Sequence, residues 1–397
     1  MKIMDLADFA GSVPDVDEFV NEAGEFEIGG STRTPSETEM QAYLRRIFAG
    51  EKTKADKAVM PYIHNKLLKK VNGNSFLLMA DSDVAIDTGT NTIIDADVLK
   101  RQIKERPEQI MSQNAKMVKS ATSTTKYINF GLPAMVGLVV NERTNEFVIV
   151  STCPGAGECQ LWCFARKGGY VQFQETFLKQ SRLLNFLMNN TREFFLQVSR
   201  EIADHQRRTD KRKVQLAVRW HDSGDFFSDA YKQQFFETVR KFPDVQFYAY
   251  TKMASVMNDP EVPENLILNF SRGARPAQRS EIDFTRQKYS EVVPTEVWED
   301  LITSVPTGRM VRNRRTGAVK PEMTKDWTPP AEKSIAEMKR RLAAKYGVDA
   351  NAILTYEEML KTPIGRTGQY HVVVRPKADG DASANRRDVQ ITFLLIH

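Results

Sequence analysis

The chain has 397 residues, of which 41% are hydrophobic and 27% charged, with a formal net charge of +5. That length and composition suit two or three domains, or one large α/β domain with extensions, and exclude a chain dominated by disorder. No stretch reaches the roughly 20 apolar residues of a membrane span. The start, "MKIMDLADFAGSVPDVDEFV", carries acidic residues where a signal peptide needs a basic region followed by an apolar one. A cytoplasmic protein without a membrane partner is expected.

In chain order, the first 125 residues contain no cysteine and a single histidine, His64. Periodicity and capping predict a helix from Pro35 to Ile47 with Thr34 as cap, another from Lys54 to Val71, a strand at "SFLLMA" and a helix near "DADVLKRQIKERPEQIMSQ". The Ser/Thr-rich "KSATSTTKY" reads as a linker closing an N-terminal accessory region, residues 1–125.

From residue 126 to 275 the pattern changes. "AMVGLVV" and "EFVIVST" are β-branched runs flanking the turn-like "NERTNE", which predicts a hairpin. Helices follow over 171–188 and, after a break at Asn189 and Asn190, from Thr191 to His205. Strands at 214–220, 245–251 and 265–271 then alternate with a helix over 228–241 and a shorter one. Near-continuous apolar strands alternating with helices indicate a parallel sheet of right-handed βαβ units, whose ligands gather at the carboxyl ends of the strands. The C-terminal extension, 276–397, contains a helix over 331–346, a further one starting at "TYEEMLK", and two final strands, "YHVVVRP" and "VQITFLLIH", read as a hairpin. Their connection, "KADGDASANRRD", reads as a solvated turn, since its Asp379, Asp381, Asn385 and Asp388 lack the rest of a calcium loop.

Chemistry concentrates in one loop. Cys153, Cys159 and Cys163 are the only cysteines, spaced C-x5-C-x3-C among Pro154, Gly155, Gly157, Gly168 and Gly169. An odd number of thiols in a reducing compartment suits ligands better than crosslinks. Three thiolates on an iron-sulfur cube leave one iron open to a substrate or cofactor; zinc completed by His205 or His221, or three inert small hydrophobes, are the alternatives. Walker-type, GxGxxG, Ser-His-Asp and HExxH patterns are absent. The basic runs "HQRRTDKRK", "RNRR" and "KRRLAAK" could meet phosphates, but solvated surface explains each of them as well.

"CQLWCFARKGGY" resembles the cluster loop of radical S-adenosylmethionine (SAM) enzymes, with Trp162 as the aromatic residue before the last cysteine, and "RWHDSGDF" resembles their Gly-Gly-Glu turn. The series "CPGAGECQLWCFARKG", "VQLAVRWHDSGDFF", "VQFYAYTKM" and "NLILNFSRG" is similar, in order and kind, to the phage and plasmid gene product 88 family. The cysteine gaps are longer than the C-x3-C-x2-C usual in radical SAM enzymes, Asp225 stands where glutamate is usual, and no adenine motif of the fifth strand is matched.

The resemblance implies an α/β fold with a partial (β/α) barrel, a [4Fe-4S] cluster on Cys153, Cys159 and Cys163, and SAM against Ser223, Gly224, Asp225, Asn269, Ser271 and Arg272. His221, Asp222, Tyr250 and Lys252 become catalytic candidates, and Tyr248 and Tyr250 share one strand face. It further implies a reductant such as flavodoxin or ferredoxin, a host cytoplasm if the gene is a phage's, and modification of an unknown substrate, nucleosides and nucleic acid among the candidates. A cluster protein without SAM chemistry, working in redox or sensing, and a zinc-stabilised nucleic-acid-binding protein are the rival expectations.

Overall fold

The computed structural model describes residues 68–71, 76–79, 84–87, 92–145, 147–159, 163, 165, 174–301, 304–312, 319–325, 332–375 and 379–395. The helix expected over 35–47, most of that over 54–71, and Trp162 lie outside them. Four short strands, β1 (Leu68–Val71), β2 (Phe76–Met79), β3 (Val84–Asp87) and β4 (Thr92–Asp95), precede helices α1 (Ala96–Lys104) and α2 (Ala115–Ser120). Strands β5 (Thr125–Asn129), β6 (Val136–Val140) and β7 (Phe147–Ser151) lead to helices α3 (Gln174–Asn189) and α4 (Thr191–Asp210). Next come β8 (Gln215–Trp220), α5 (Asp229–Arg240), β9 (Gln246–Thr251), α6 (Ala254–Met257), β10 (Leu266–Ser271), α7 (Pro276–Arg279) and β11 (Tyr289–Val292). The chain ends with β12 (Ser304–Arg312), β13 (Val319–Lys325), α8 (Glu332–Tyr346), β14 (Ile353–Thr355), α9 (Tyr356–Lys361), β15 (Tyr370–Val374) and β16 (Val389–Leu394).

These elements form two compact units. The first takes in residues up to 112, 130–205 and 220–241. In it β1 to β4 make an antiparallel meander in sequence order, so Leu68–Val71 is strand where the helical reading ran through Val71. Pro107 follows closely on α1, and the helix expected through residue 113 stops at Lys104. The hairpin read from "AMVGLVV" and "EFVIVST" is present as β6 and β7. Helix α3 fastens it: Asn185 Oδ1 accepts from the Val140 amide at 2.9 Å and Asn189 Nδ2 donates to the Val140 carbonyl at 3.0 Å.

The second unit, residues 113–129, 206–219 and 242–397, is built on a parallel sheet of eight strands in the order β14-β15-β16-β11-β10-β9-β8-β5. The chain winds outward from β5 to β11, restarts at the far edge with β14, and returns to place β16 beside β11. Edges β14 and β5 stay apart in that order, so the sheet is open and the expected barrel closure is absent. "KSATSTTKY" is not a linker: it runs from the end of α2 into β5, which pairs in parallel with β8 from Thr125↔Gln215 to Asn129↔Arg219. The two final strands are parallel neighbours, not a hairpin. A connection through residues 375–388 is long enough to carry the chain back to the start of the sheet, as a parallel crossover requires.

Both faces of this sheet are dry. Tyr127, Ala217, Tyr248, Ile267 and Val372 pack on one face beneath Met117 of α2 and Met359 of α9. Phe270, Tyr289, Val373, Ile391 and Phe393 pack on the other beneath Met338 and Leu342 of α8. Strands buried on two faces need apolar residues at successive positions, which is the pattern the sequence shows.

The connection between the last two strands, expected in solvent, is interior over residues 379–385. Asp379, Asp381, Ser383, Asn385 and Asp388 are all buried. Asp381 sits between Lys116 Nζ (3.1 Å) and Arg219 Nη1 (3.0 Å), and accepts from the Tyr250 hydroxyl at 3.0 Å. Its own amide donates to Ser120 Oγ at 2.6 Å, while the Ala382 amide donates to the Tyr356 hydroxyl at 3.2 Å. Gly380 leaves no room for a side chain: a Cβ there would stand 2.5 Å from the Tyr356 oxygen and 2.7 Å from Ser120 Cα. Lys288 Nζ donates to the carbonyls of Ser383, Arg386 and Val389. Asp379 pairs with Arg375 and Asp388 with Arg386, so each carboxylate has a cation partner and none is left for calcium.

Burial alone would raise the Asp381 carboxyl, but Arg219, Lys116 and Tyr250 outweigh it and hold the group below its ordinary value. Replacing Asp381 with Asn leaves Arg219 buried without its counter-charge, and should cost about 3–5 kcal/mol of stability in urea titrations. Tyr250→Phe should cost only about 1 kcal/mol; an Asp381→Asn loss no larger than that would show that the ion pair is dispensable. Burial holds the His371 imidazole at about 4 against an ordinary 6.5, with Asp349 pulling the other way. Between those values the unfolded chain binds a proton that the folded chain refuses, so stability should fall as pH drops from 6.5 to 4. His371→Gln should show the shallower fall when urea midpoints are compared at both pH values.

Candidate functional site

The cysteine loop leaves the end of β7. This strand belongs to the two-stranded antiparallel hairpin and not to the parallel sheet. Thr152 anchors its first residues: Oγ1 donates to the Pro133 carbonyl at 2.6 Å and the amide donates to the Met135 carbonyl at 2.9 Å. Cys153 and Cys159, 7% and 5% exposed, share one buried cluster with Ala156, and Met135 packs against it. The Met135 amide donates to Cys153 Sγ at 3.4 Å. All three cysteines are free thiols, with Cys163 half-buried. Among the described residues, no three His, Cys, Asp or Glu side chains gather as metal ligands, so the three thiols do not form a ready three-thiolate seat in this arrangement.

The turn after β8 is tightly built. His221 has φ of +62° and Gly224 of +82°. A Cβ at Gly224 would meet Leu132 Cβ at 2.7 Å, so glycine answers both the backbone angle and the close approach. Ser223 Oγ donates to the Leu132 carbonyl at 2.6 Å and accepts from Gln180 Nε2 at 3.2 Å, while the Leu132 amide donates to the Ser223 carbonyl at 2.9 Å. The Asp222 amide donates to the Phe130 carbonyl. Asp225 is fully buried and accepts from the Phe226 amide at 2.8 Å. Ser228 caps α5, accepting from the Tyr231 amide at 3.2 Å.

His221 is 2% exposed and enclosed by aromatic rings, with Phe226 edge-on at 4.5 Å. Its Nε2 lies 2.8 Å from the Tyr231 hydroxyl, which also accepts from Trp220 Nε1 at 2.9 Å. Burial pushes the Tyr231 phenol well above 10, so it stays protonated. The hydrogen bond and the aromatic enclosure together hold the His221 ring in a fixed orientation.

Residues 130–135, "FGLPAM", tie these two predicted blocks together, and no sequence signal singled them out. Their Phe130 and Leu132 grip the 222–223 turn, and their Pro133 and Met135 grip the start of the cysteine loop. Met135 has φ of +67°. Left-handed backbone at two non-glycine residues, His221 and Met135, costs about 1–3 kcal/mol each and tends to collect at functional sites. The nearest signal was the Gly131 and Pro133 punctuation between two strands.

The remaining candidates belong to the second unit. Tyr250 and Asn269 lie opposite each other in the β9–β10 register. Tyr250 reaches Asp381, and Asn269 Nδ2 donates to the Ala384 carbonyl at 3.1 Å, so both serve the buried crossover. Lys252 is half-buried just beyond β9. Ser271 lies opposite Ser290, while Arg272 points to a separate group, 3.4 Å from Glu291 and 4.9 Å over the Phe284 ring. Lys116, Arg219 and Asp381, which organise the polar interior of this unit, were absent from the candidate set because their partners lie far away in sequence.

The sequence profile of the Gene product 88 family matches residues 108–309. Two curated relatives are the Gene 88 protein of Mycobacterium phage D29, 40% identical over 76 residues, and that of Mycobacterium phage L5, 38% identical over the same length. Each match covers 19% of this chain and 32% of the relative, so the chain spans about a third of the length of the curated relatives it matches. No solved structure matches it. The profile covers the β6–β7 hairpin, the cysteine loop, the 221–225 turn and strands β8 to β11, more than half of the chain, and on that ground the protein belongs to the Gene product 88 family.

Proposed function

We propose that this phage-type protein is an iron-sulfur protein of the radical SAM kind, with Cys153, Cys159 and Cys163 as cluster ligands and the Ser223–Asp225 turn as the place where S-adenosylmethionine meets the chain. The observation that carries the reading is the buried pair Cys153 and Cys159, with a backbone amide already directed at one sulfur. Thiolates are the donors a soft iron-sulfur centre takes. The geometry fits only in part, because two sulfurs share a cluster and Cys163 would have to turn towards them to complete the set. The 130–135 segment supports the pairing of the two blocks, since it holds the cysteine loop and the turn by hydrogen bonds of its own. Asp225 offers a buried carboxylate for an ammonium group, and Ser223, oriented by Gln180, offers a hydroxyl beside it.

Iron and acid-labile sulfide analysis on anaerobically purified protein should find about four of each per chain. Each single Cys→Ala change, at 153, 159 or 163, should remove most of both. Stoichiometric zinc in colourless protein, or iron content indifferent to Cys163→Ala, would end the proposal. With reduced, iron-loaded protein, added S-adenosylmethionine should yield 5'-deoxyadenosine. Asp225→Ala should lower that yield at least tenfold with iron content intact; a loaded cluster that yields none would leave a redox or sensing role in its place.

A further inference from the structure

The second unit carries a concentrated basic surface where α4 gives way to β8. Arg207, Arg208, Lys211, Arg212 and Lys213 are all exposed, Lys126 on the edge strand β5 is half-buried, and Asp210 is the one carboxylate in the stretch 207–213. The support beneath is rigid. The Arg212 and Val214 amides donate to the carbonyl of the buried Thr209 at 2.9 and 3.0 Å, and the Lys213 amide donates to the Asp210 carbonyl at 3.0 Å. The Gln215 amide donates to the Thr124 carbonyl at 2.8 Å, bringing the exposed hydroxyl-bearing turn Thr122–Thr124 against the basic one. Like charges are crowded here: burial first, then Arg208 and Arg212, push the Lys126 ammonium below its ordinary value. Holding cations together against their repulsion, on a scaffold pinned by backbone hydrogen bonds, favours a polyanion that relieves it.

We propose that this surface, Lys126 with the 207–213 turn, docks the phosphate backbone of duplex nucleic acid without reading its sequence. The chemistry selects that partner on two counts. Residues 207–213 include no exposed apolar side chain, which a membrane-surface segment needs for insertion. No aromatic ring is exposed in this turn or in 122–126, so there is no stacking platform for single-stranded bases. Three arginines and two lysines in one turn instead supply forked and point donors to phosphate oxygens. The inference stands independently of any metal on the cysteine loop.

The test is fluorescence anisotropy of a labelled 30-base-pair DNA of random sequence, titrated with the full chain across a series of potassium chloride concentrations. Wild type should bind, with affinity falling steeply with salt. The triple change Arg208→Glu, Lys211→Glu, Arg212→Glu should weaken binding at least tenfold and flatten the log–log salt slope by about three, at roughly 0.9 per phosphate contact. A control with the same change in net charge, Lys345→Glu, Lys361→Glu, Arg366→Glu at exposed positions elsewhere in this unit, should bind as wild type does. Circular dichroism melts check that both variants fold. Absence of duplex binding, an equal loss in the control, or preference for phosphatidylserine vesicles or single-stranded DNA over the duplex would each overturn the proposal.

Discussion

The carboxylate of Asp381, enclosed by Arg219 on β8, Lys116 on α2 and the Tyr250 hydroxyl on β9, joins segments that are far apart in the chain at one interior point. The parallel sheet of the second unit has no face to give to water, so anything crossing it must be apolar or fully paired. The crossover from β15 to β16 meets that demand in both ways. Its Ala382 and Ala384 join the apolar cluster, and its three aspartates each meet a cation. Lys288, donating to two carbonyls of the same crossover and to that of Val389 at the start of β16, closes the arrangement from β11's side. A buried ion pair of this kind adds little net stability compared with well-packed apolar residues, but losing one partner is costly. Its contribution is to fix which segment lies over which strand.

In the first unit the corresponding role falls to a backbone segment. Residues 130–135 carry no titratable side chain, yet they bind the 222–223 turn through the Phe130 and Leu132 backbone and the head of the cysteine loop through Pro133 and Met135. The left-handed backbone at Met135 and at His221 is tolerated because each residue is over-determined by neighbours: Met135 through Thr152 and Cys153, His221 through Tyr231 and its aromatic enclosure. Strain held in this way keeps a thiol pair and a buried imidazole in fixed positions.

Much of the local structure was legible. The break between α3 and α4 at Asn189–Asn190, and a helix opening at "TYEEMLK", here α9, follow from residues that interrupt or begin a helix. The common face of Tyr248 and Tyr250 followed from strand alternation. The misreadings share one cause. The Ser/Thr-rich segment that became β5, the acidic connection that became interior, and the last two strands that pair in parallel all look locally like solvated connections, because the partners that pair or neutralise them lie far off in the chain.

The sequence by itself determined the α/β class, the alternation of buried strands with amphipathic helices, the hairpin before the cysteine loop and the clustering of all three thiols, since these depend on periodicity, turn chemistry and composition. Only the tertiary structure decided that the sheet stays open with its order reversing between β11 and β16, that Asp381 lies inside, and that Cys153 and Cys159 are buried together with Cys163 half-buried. Strand order and charge pairing are set by contacts between residues far apart in sequence, whose energies balance only once both faces of the sheet are covered; no local pattern encodes that balance.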